Sequence, residues 1–164
     1  MASSDQGRLE EGWGDTAAAP SSTYCWMHIP TVGALEVVIL SEIPTRYTGH
    51  FVGRTMRPCE AVGCHWCGVG LGRQLRWVLS VVDCLSGTRA CIEVGAAAAE
   101  TMRRATAEAG GLRGCRVRLS RATTARNSEV LCSLSTREPL DAVPDPVDVP
   151  RLLREMWAKQ GGAG

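Results

Sequence analysis

The chain has 164 residues, 45% hydrophobic and 21% charged, the composition of a globular protein with room for one domain and some tail. Its apolar runs, Ala34 to Leu40 and Val78 to Val82, fall far short of the ~20 residues a membrane span needs, and each is broken by a polar residue. The formal net charge of +1 conceals an uneven distribution: residues 43–137 carry 14 Arg against six acids, whereas both flanks are acidic.

The acidic start, Met-Ala-Ser-Ser-Asp, lacks the basic and apolar regions of a secretory signal, so a reducing cytoplasm is expected. Eight cysteines in a reducing compartment read as metal ligands where they cluster and as small buried hydrophobes where they scatter. Cys59, Cys64 and Cys67 cluster. Cys84, Cys91, Cys115 and Cys132 lie in or beside strand-like segments.

Residues 1–33 have no sustained periodicity and read as a flexible acidic segment. Ala34 to Ser41, rich in β-branched residues, reads as a first strand. A long connection, Glu42 to Gly72, carries the cysteine cluster, and a bound metal would supply it with a local core. Gln74 to Asp83 and Arg89 to Val94 form a hairpin about the turn Leu85-Ser86-Gly87-Thr88. Ala96 to Ala109 is alanine-rich and closed by Gly110-Gly111, as a helix should be. Gly114 to Arg121 alternates Cys115, Val117 and Leu119 with Arg116 and Arg118, a half-buried strand with a basic outer face. Glu129 to Leu134 is the last strand. Residues 138–164 form a proline-rich spacer and a short amphipathic helix at 149–159, a plausible docking element for a protein partner.

The predicted fold is therefore mainly β: a five-stranded OB-fold barrel over residues 34–137, with one helix between strands 3 and 4 and a zinc-binding insertion between strands 1 and 2. A zinc ribbon joined to an α+β sandwich is the competing architecture.

The ligand spacing is His50-x8-Cys59-x4-Cys64-x2-Cys67. A Cys-x2-Cys turn lets two thiolates face one ion, and zinc in structural sites takes four tetrahedral N or S ligands. His65, inside the knuckle, is the rival to His50 as the fourth. One structural zinc is expected. The His-x-Glu of zinc deaminases is absent and no carboxylate cluster accompanies the cysteines, so no catalytic residues are assigned.

A five-strand OB pattern bearing a His-Cys-Cys-Cys loop that ends in Cys-x2-Cys resembles the zinc-containing single-stranded-DNA-binding proteins of T-even-like bacteriophages. The resemblance spans roughly residues 34–135. It implies a structural zinc and single strands crossing the barrel face without base specificity. The residues point the same way, since single-strand binders combine basic grooves with aromatic platforms. The phosphate-contact candidates are Arg54, Arg57, Arg73, Arg76, Arg116, Arg118 and Arg121. The stacking candidates are Tyr47 and Trp66, with Trp77 in phase with Leu79 and Val81 and so read as core. Non-catalytic binding of single-stranded nucleic acid, DNA first, is the expectation. The alternative is a protein-interaction adaptor using the barrel and the C-terminal helix.

Overall fold

The computed structural model describes residues 25–161; the expectation for residues 1–24 lies outside them. In chain order the elements are β1 (Cys25–Met27), β2 (Ala34–Ile39), β3 (Thr45–Val52), β4 (Thr55–Pro58), α1 (His65–Gly68), β5 (Gln74–Asp83), β6 (Arg89–Gly95), α2 (Ala96–Ala107), β7 (Cys115–Arg121), β8 (Val130–Arg137) and α3 (Val149–Gly161). The eight strands form one mixed sheet, with the path β1-β6-β5-β2-β7-β8 and the β3–β4 pair branching from β5.

The ten-residue β5 organises the sheet. One edge pairs with β6 along most of its length; the other is shared, with β2 opposite Val81–Asp83 and β3 opposite Gln74–Val78. Between β2 and β3 the chain steps along β5 without losing hydrogen bonds. Leu40 and Ser41 donate their N–H groups to Ser80 O, Ser80 N–H donates to Ser41 Oγ, and Val147 N–H donates to Ser80 Oγ. Ser80 is fully buried, so this network meets the demand that buried polar groups be paired.

Two apolar layers flank the sheet. On one face Val37, Ile39, Val81, Ile92, Val117 and Leu119 pack with Ala98 and Met102 of α2. Alanine gives α2 its helical preference and lets it lie close to β5, β6 and β8. On the other face Val78 and Cys91 receive Val147, Val149 and Leu153 from the C-terminal segment. The apolar side of α3 is thus used within the chain, leaving Arg151, Arg154 and Lys159 outward.

The expected five-stranded OB-fold barrel is met only in part: the fold is mainly β, but its one mixed sheet has eight strands and is not closed into a barrel. The sheet stays open, because β1 adds in parallel to the outer edge of β6 and β8 pairs only with β7. Three strands were not anticipated. β1 lies in a stretch read as irregular, and β3 and β4 lie in the connection read as a loop. Pro44, Gly49, Gly53 and Pro58 punctuate that connection, and its inward residue His50 is polar, which masks the alternation of a half-buried strand.

Candidate metal centre and basic groove

The β3–β4 hairpin and the knuckle after it bring four side chains together. One ligand atom each from His50, Cys59, Cys64 and Cys67 lies within 4.8 Å of all the others. β3 turns His50 inward until it is 0% exposed. β4 ends at Pro58, and Cys59 N–H donates to Thr48 O at 2.9 Å, fixing Cys59 beside β3. Ala61 (φ 61°) and Gly63 (φ 70°) make the left-handed turn that brings Cys64 back. Gly68 needs no such conformation; it donates its N–H to Cys64 O at 3.1 Å and closes the turn of α1 that presents Cys67.

The close approach of β3 to β4 requires Gly49. A Cβ there would lie 2.6 Å from Arg57 O.

The distances fit a tetrahedral ion. Zn–S bonds of ~2.3 Å and a Zn–N bond of ~2.05 Å imply S···S near ~3.8 Å and S···N near ~3.6 Å. Cys59 Sγ and Cys67 Sγ are 3.6 Å apart, and His50 Nε2 is 3.5 Å from Sγ of both Cys64 and Cys67. His50 Nδ1 lies 3.1 Å from the carbonyls of Leu71 and Gly72. Two acceptors there require the proton on Nδ1, which leaves the Nε2 lone pair facing the thiols, as a metal-ligating histidine needs. His65 is outside the cluster, its ring edge-on to Trp66 at 4.8 Å.

The electrostatics favour thiolate. Backbone N–H groups of Cys67 and then Glu60 draw the Cys64 thiol down to about 6 from its ordinary 9.0. Hydrogen bonding to Cys59 raises His50, and Arg73 is raised by donating Nε–H to Cys67 Sγ at 3.2 Å. Three thiolates on a dication leave one net negative charge, and Arg73 sits where it offsets that charge. The four residues can hold one structural metal ion.

A second feature lies across the hairpin. Two adjoining recesses, about 690 and 480 Å³, share His28, Phe51, Arg76, Glu93 and Arg121. The larger opens at Gly95–Ala98, where α2 begins without a side-chain cap, and reaches Arg126 and Asn127. The smaller runs past Trp26, Arg54 and Met56 to Met156 and Gln160 of α3. Phe51 is 51% exposed, because β3 alternates: His50 faces the cluster and Phe51 the groove.

Of the nine expected nucleic-acid contacts, Tyr47, Arg54, Arg76 and Arg121 line this groove. Tyr47 is engaged, donating its hydroxyl to Glu93 at 2.5 Å with its ring edge-on to Trp157 at 5.1 Å. Burial and Glu93 raise its pKa. Arg76 lies 3.9 Å from Glu93, and Arg121 donates to the carbonyls of Ile29 and Ser128. Arg54 has no carboxylate partner among the described residues. The other five lie elsewhere. Arg57 donates to Gln160 O, Arg73 and Trp66 belong to the knuckle, Arg116 is held by Glu36 (3.2 Å) and Glu138 (4.0 Å), and Arg118 is exposed on β7.

Sequence reasoning missed Phe51, Trp26, His28 and Arg126. Phe51 had a signal, since the residue after an inward ligand on a strand faces the opposite side. Arg126 sits in a polar turn with nothing to distinguish it.

Comparisons with protein-family models, with curated proteins and with solved structures gave no match. Among the described residues no helix is long and apolar enough to cross a membrane.

Proposed function

We propose that this chain binds single-stranded nucleic acid, DNA first, in the groove between the β3–β4 hairpin and the start of α2, without catalysis, in the cytoplasm. The observation that carries the reading is the groove's lining: arginines at 54, 76, 121 and 126 interleaved with Trp26, His28 and Phe51. Cationic side chains serve phosphates and flat rings serve bases, and only unpaired bases can reach rings in a groove. The first N–H groups of α2, uncapped by any side chain, add a favourable site for phosphate oxygens. The strand path β6-β5-β2-β7-β8, with α2 between β6 and β7, supports reading the sheet as a partly open barrel of OB type.

Zinc is the metal this donor set fits best, three soft thiolates and one imidazole at tetrahedral spacing. All four positions are filled by protein, which leaves none for substrate and makes its role structural. When bound, the ion cross-links β3, β4 and the knuckle, and so stiffens the hairpin that carries Phe51 and Arg54.

A titration of a fluorescent single-stranded DNA at two salt concentrations, with duplex and RNA of the same sequence alongside, tests the reading. Four phosphate-contacting arginines predict a slope of log affinity on log salt of about −3 for a single strand. Binding that is absent at low salt, or is equal for duplex and single strand, overturns it. A protein-interaction role is the second reading. Val62 (92% exposed) and Val69 (59% exposed) at the tip of the knuckle favour it.

A further inference from the structure

We propose that Cys59 and Cys67 form a peroxide-reactive pair, whose oxidation to a disulfide frees the metal ion and loosens the hairpin. This rests on the reading of the centre as a structural zinc site. The four ligands are not equally reachable. His50 is 0% and Cys64 6% exposed, whereas Cys59 and Cys67 are half-exposed. The two reachable sulfurs are also in contact, Sγ to Sγ at 3.6 Å. Metal ligation keeps both as thiolates, the form that reacts with peroxides. The other described thiols lack this combination. Cys91 and Cys115 are 0% exposed. Burial pushes the Cys132 thiol up to about 11, so it stays protonated at neutral pH. Cys84 is half-exposed, but the contact its sulfur makes is with Arg116 Nε–H, at 3.3 Å.

The chemistry needs these two residues and one molecule of hydrogen peroxide. One thiolate attacks a peroxide oxygen; an S–O bond forms, the O–O bond breaks and hydroxide leaves. The second thiolate attacks the sulfur of that sulfenic acid; an S–S bond forms, the S–O bond breaks and a second hydroxide leaves. The two thiolates have lost two electrons and the peroxide has gained them, and two protons from solvent turn the hydroxides into water. Bringing sulfurs 3.6 Å apart to a bonding distance of ~2.05 Å takes a shift of about 1.5 Å. Cys67 sits on α1, only four residues long, so no long element has to move. His50 and Cys64 then remain, two ligands where a tetrahedral ion needs four. The cross-link between β3, β4 and the knuckle is lost, and with it the rigidity of the hairpin that places Phe51 and Arg54 in the groove.

The test titrates the zinc-loaded full chain with hydrogen peroxide. Released zinc is read with a chromogenic chelator, free thiols by colorimetric titration of the denatured chain, and the linkage by mass spectrometry of its peptides. The expected result is one zinc released for two thiols lost, a disulfide between Cys59 and Cys67, and reversal of both on adding a thiol reductant and zinc. Cys84→Ser should change neither the zinc released nor the linkage. Zinc retained while thiols are oxidised, or released with the disulfide on other cysteines, overturns the inference. The same disulfide in a chain that purifies without zinc and takes up none would uphold the reactive pair and refute the zinc reading instead. Single-strand affinity on the same samples should fall about tenfold on oxidation, the worth of one stacked base, and return on reduction. Unchanged affinity in the oxidised, zinc-free chain overturns the link between centre and groove. Binding absent both before and after oxidation refutes the nucleic-acid reading and leaves the reactive pair standing.

Discussion

Gly49→Ala tests how the hairpin is built. The new Cβ would lie 2.6 Å from Arg57 O, 3.0 Å from Met56 Cε and 3.1 Å from Tyr47 Cε2. The methionine end can swing away; the carbonyl cannot, because it belongs to the strand paired with β3, where Gly49 faces Pro58 and His50 faces Arg57. Relief requires the two strands to separate by several tenths of an ångström. Overpacking of this kind costs about 1–3 kcal/mol, which for a chain of this size lowers the melting temperature by about 3–10 °C. The damage falls between His50 and Cys59, so zinc affinity should drop as well. Gly68→Ala is the matched control. It lies in the knuckle, has nothing within 4 Å of its Cβ position and takes no left-handed φ, so it should melt within about 2 °C of the native protein. Thermal melting followed by circular dichroism, with zinc content measured on the same samples, checks both. Equal melting temperatures for Gly49→Ala and the native chain would refute the close-approach argument.

Other expectations follow from the same geometry. His50→Ala should lower zinc per chain well below one while His65→Ala leaves it unchanged; the reverse pattern would assign the wrong histidine. Zinc uptake should release more protons in acid: Cys64, held at about 6 rather than 9.0, is already a thiolate at pH 7.5 but must give up a proton below pH 6, as must the raised His50. In the metal-free protein the lowered Cys64 pKa is a contribution to stability present at high pH and lost as pH falls through about 6. Calorimetry in buffers of different ionisation heat counts these protons, and a constant count from pH 7.5 to 5.5 would contradict the assignment. Leu153→Ala, at a position 2% exposed under α3, should cost about 2–4 kcal/mol in urea unfolding; a loss under 1 kcal/mol would mean α3 is only loosely attached. Arg54→Ala with Arg126→Ala should weaken single-strand binding more than Arg116→Ala with Arg118→Ala, because Arg116 already faces Glu36 and Glu138.

Much of the sheet can be read directly from the residues. β2, β5, β6 and β7 stand out because β-branched runs and strict alternation report burial on one or both faces, and α2 because alanine and the closing glycines leave little choice. The metal cluster was legible for a different reason: a Cys-x2-Cys knuckle with a third cysteine and a histidine upstream is a spacing that suits one tetrahedral ion. The groove was not legible. It is assembled from β1, β3, the start of α2 and the β7–β8 turn, segments distant in sequence whose residues carry no shared local pattern. The open edges of the sheet were not legible either, because pairing at sheet edges depends on which segment arrives there. The three residues Cys25–Met27 occupy the β6 edge with nothing in their composition to announce it.

The cluster is also local in sequence compared with the pairing at the centre of the sheet. Cys67 and His50 are only 17 positions apart, whereas β2 must wait for β7, pairing Ala34 with Ser120. Contacts between distant residues cost loop-closure entropy and form slowly. On a ribosome, a divalent ion could be captured as soon as Cys67 has emerged, before β5 is free to pair. The hairpin would then wait, already folded around its ion, as a template edge for the longest strand in the sheet. Zinc supply during synthesis, rather than afterwards, would set the yield of folded protein.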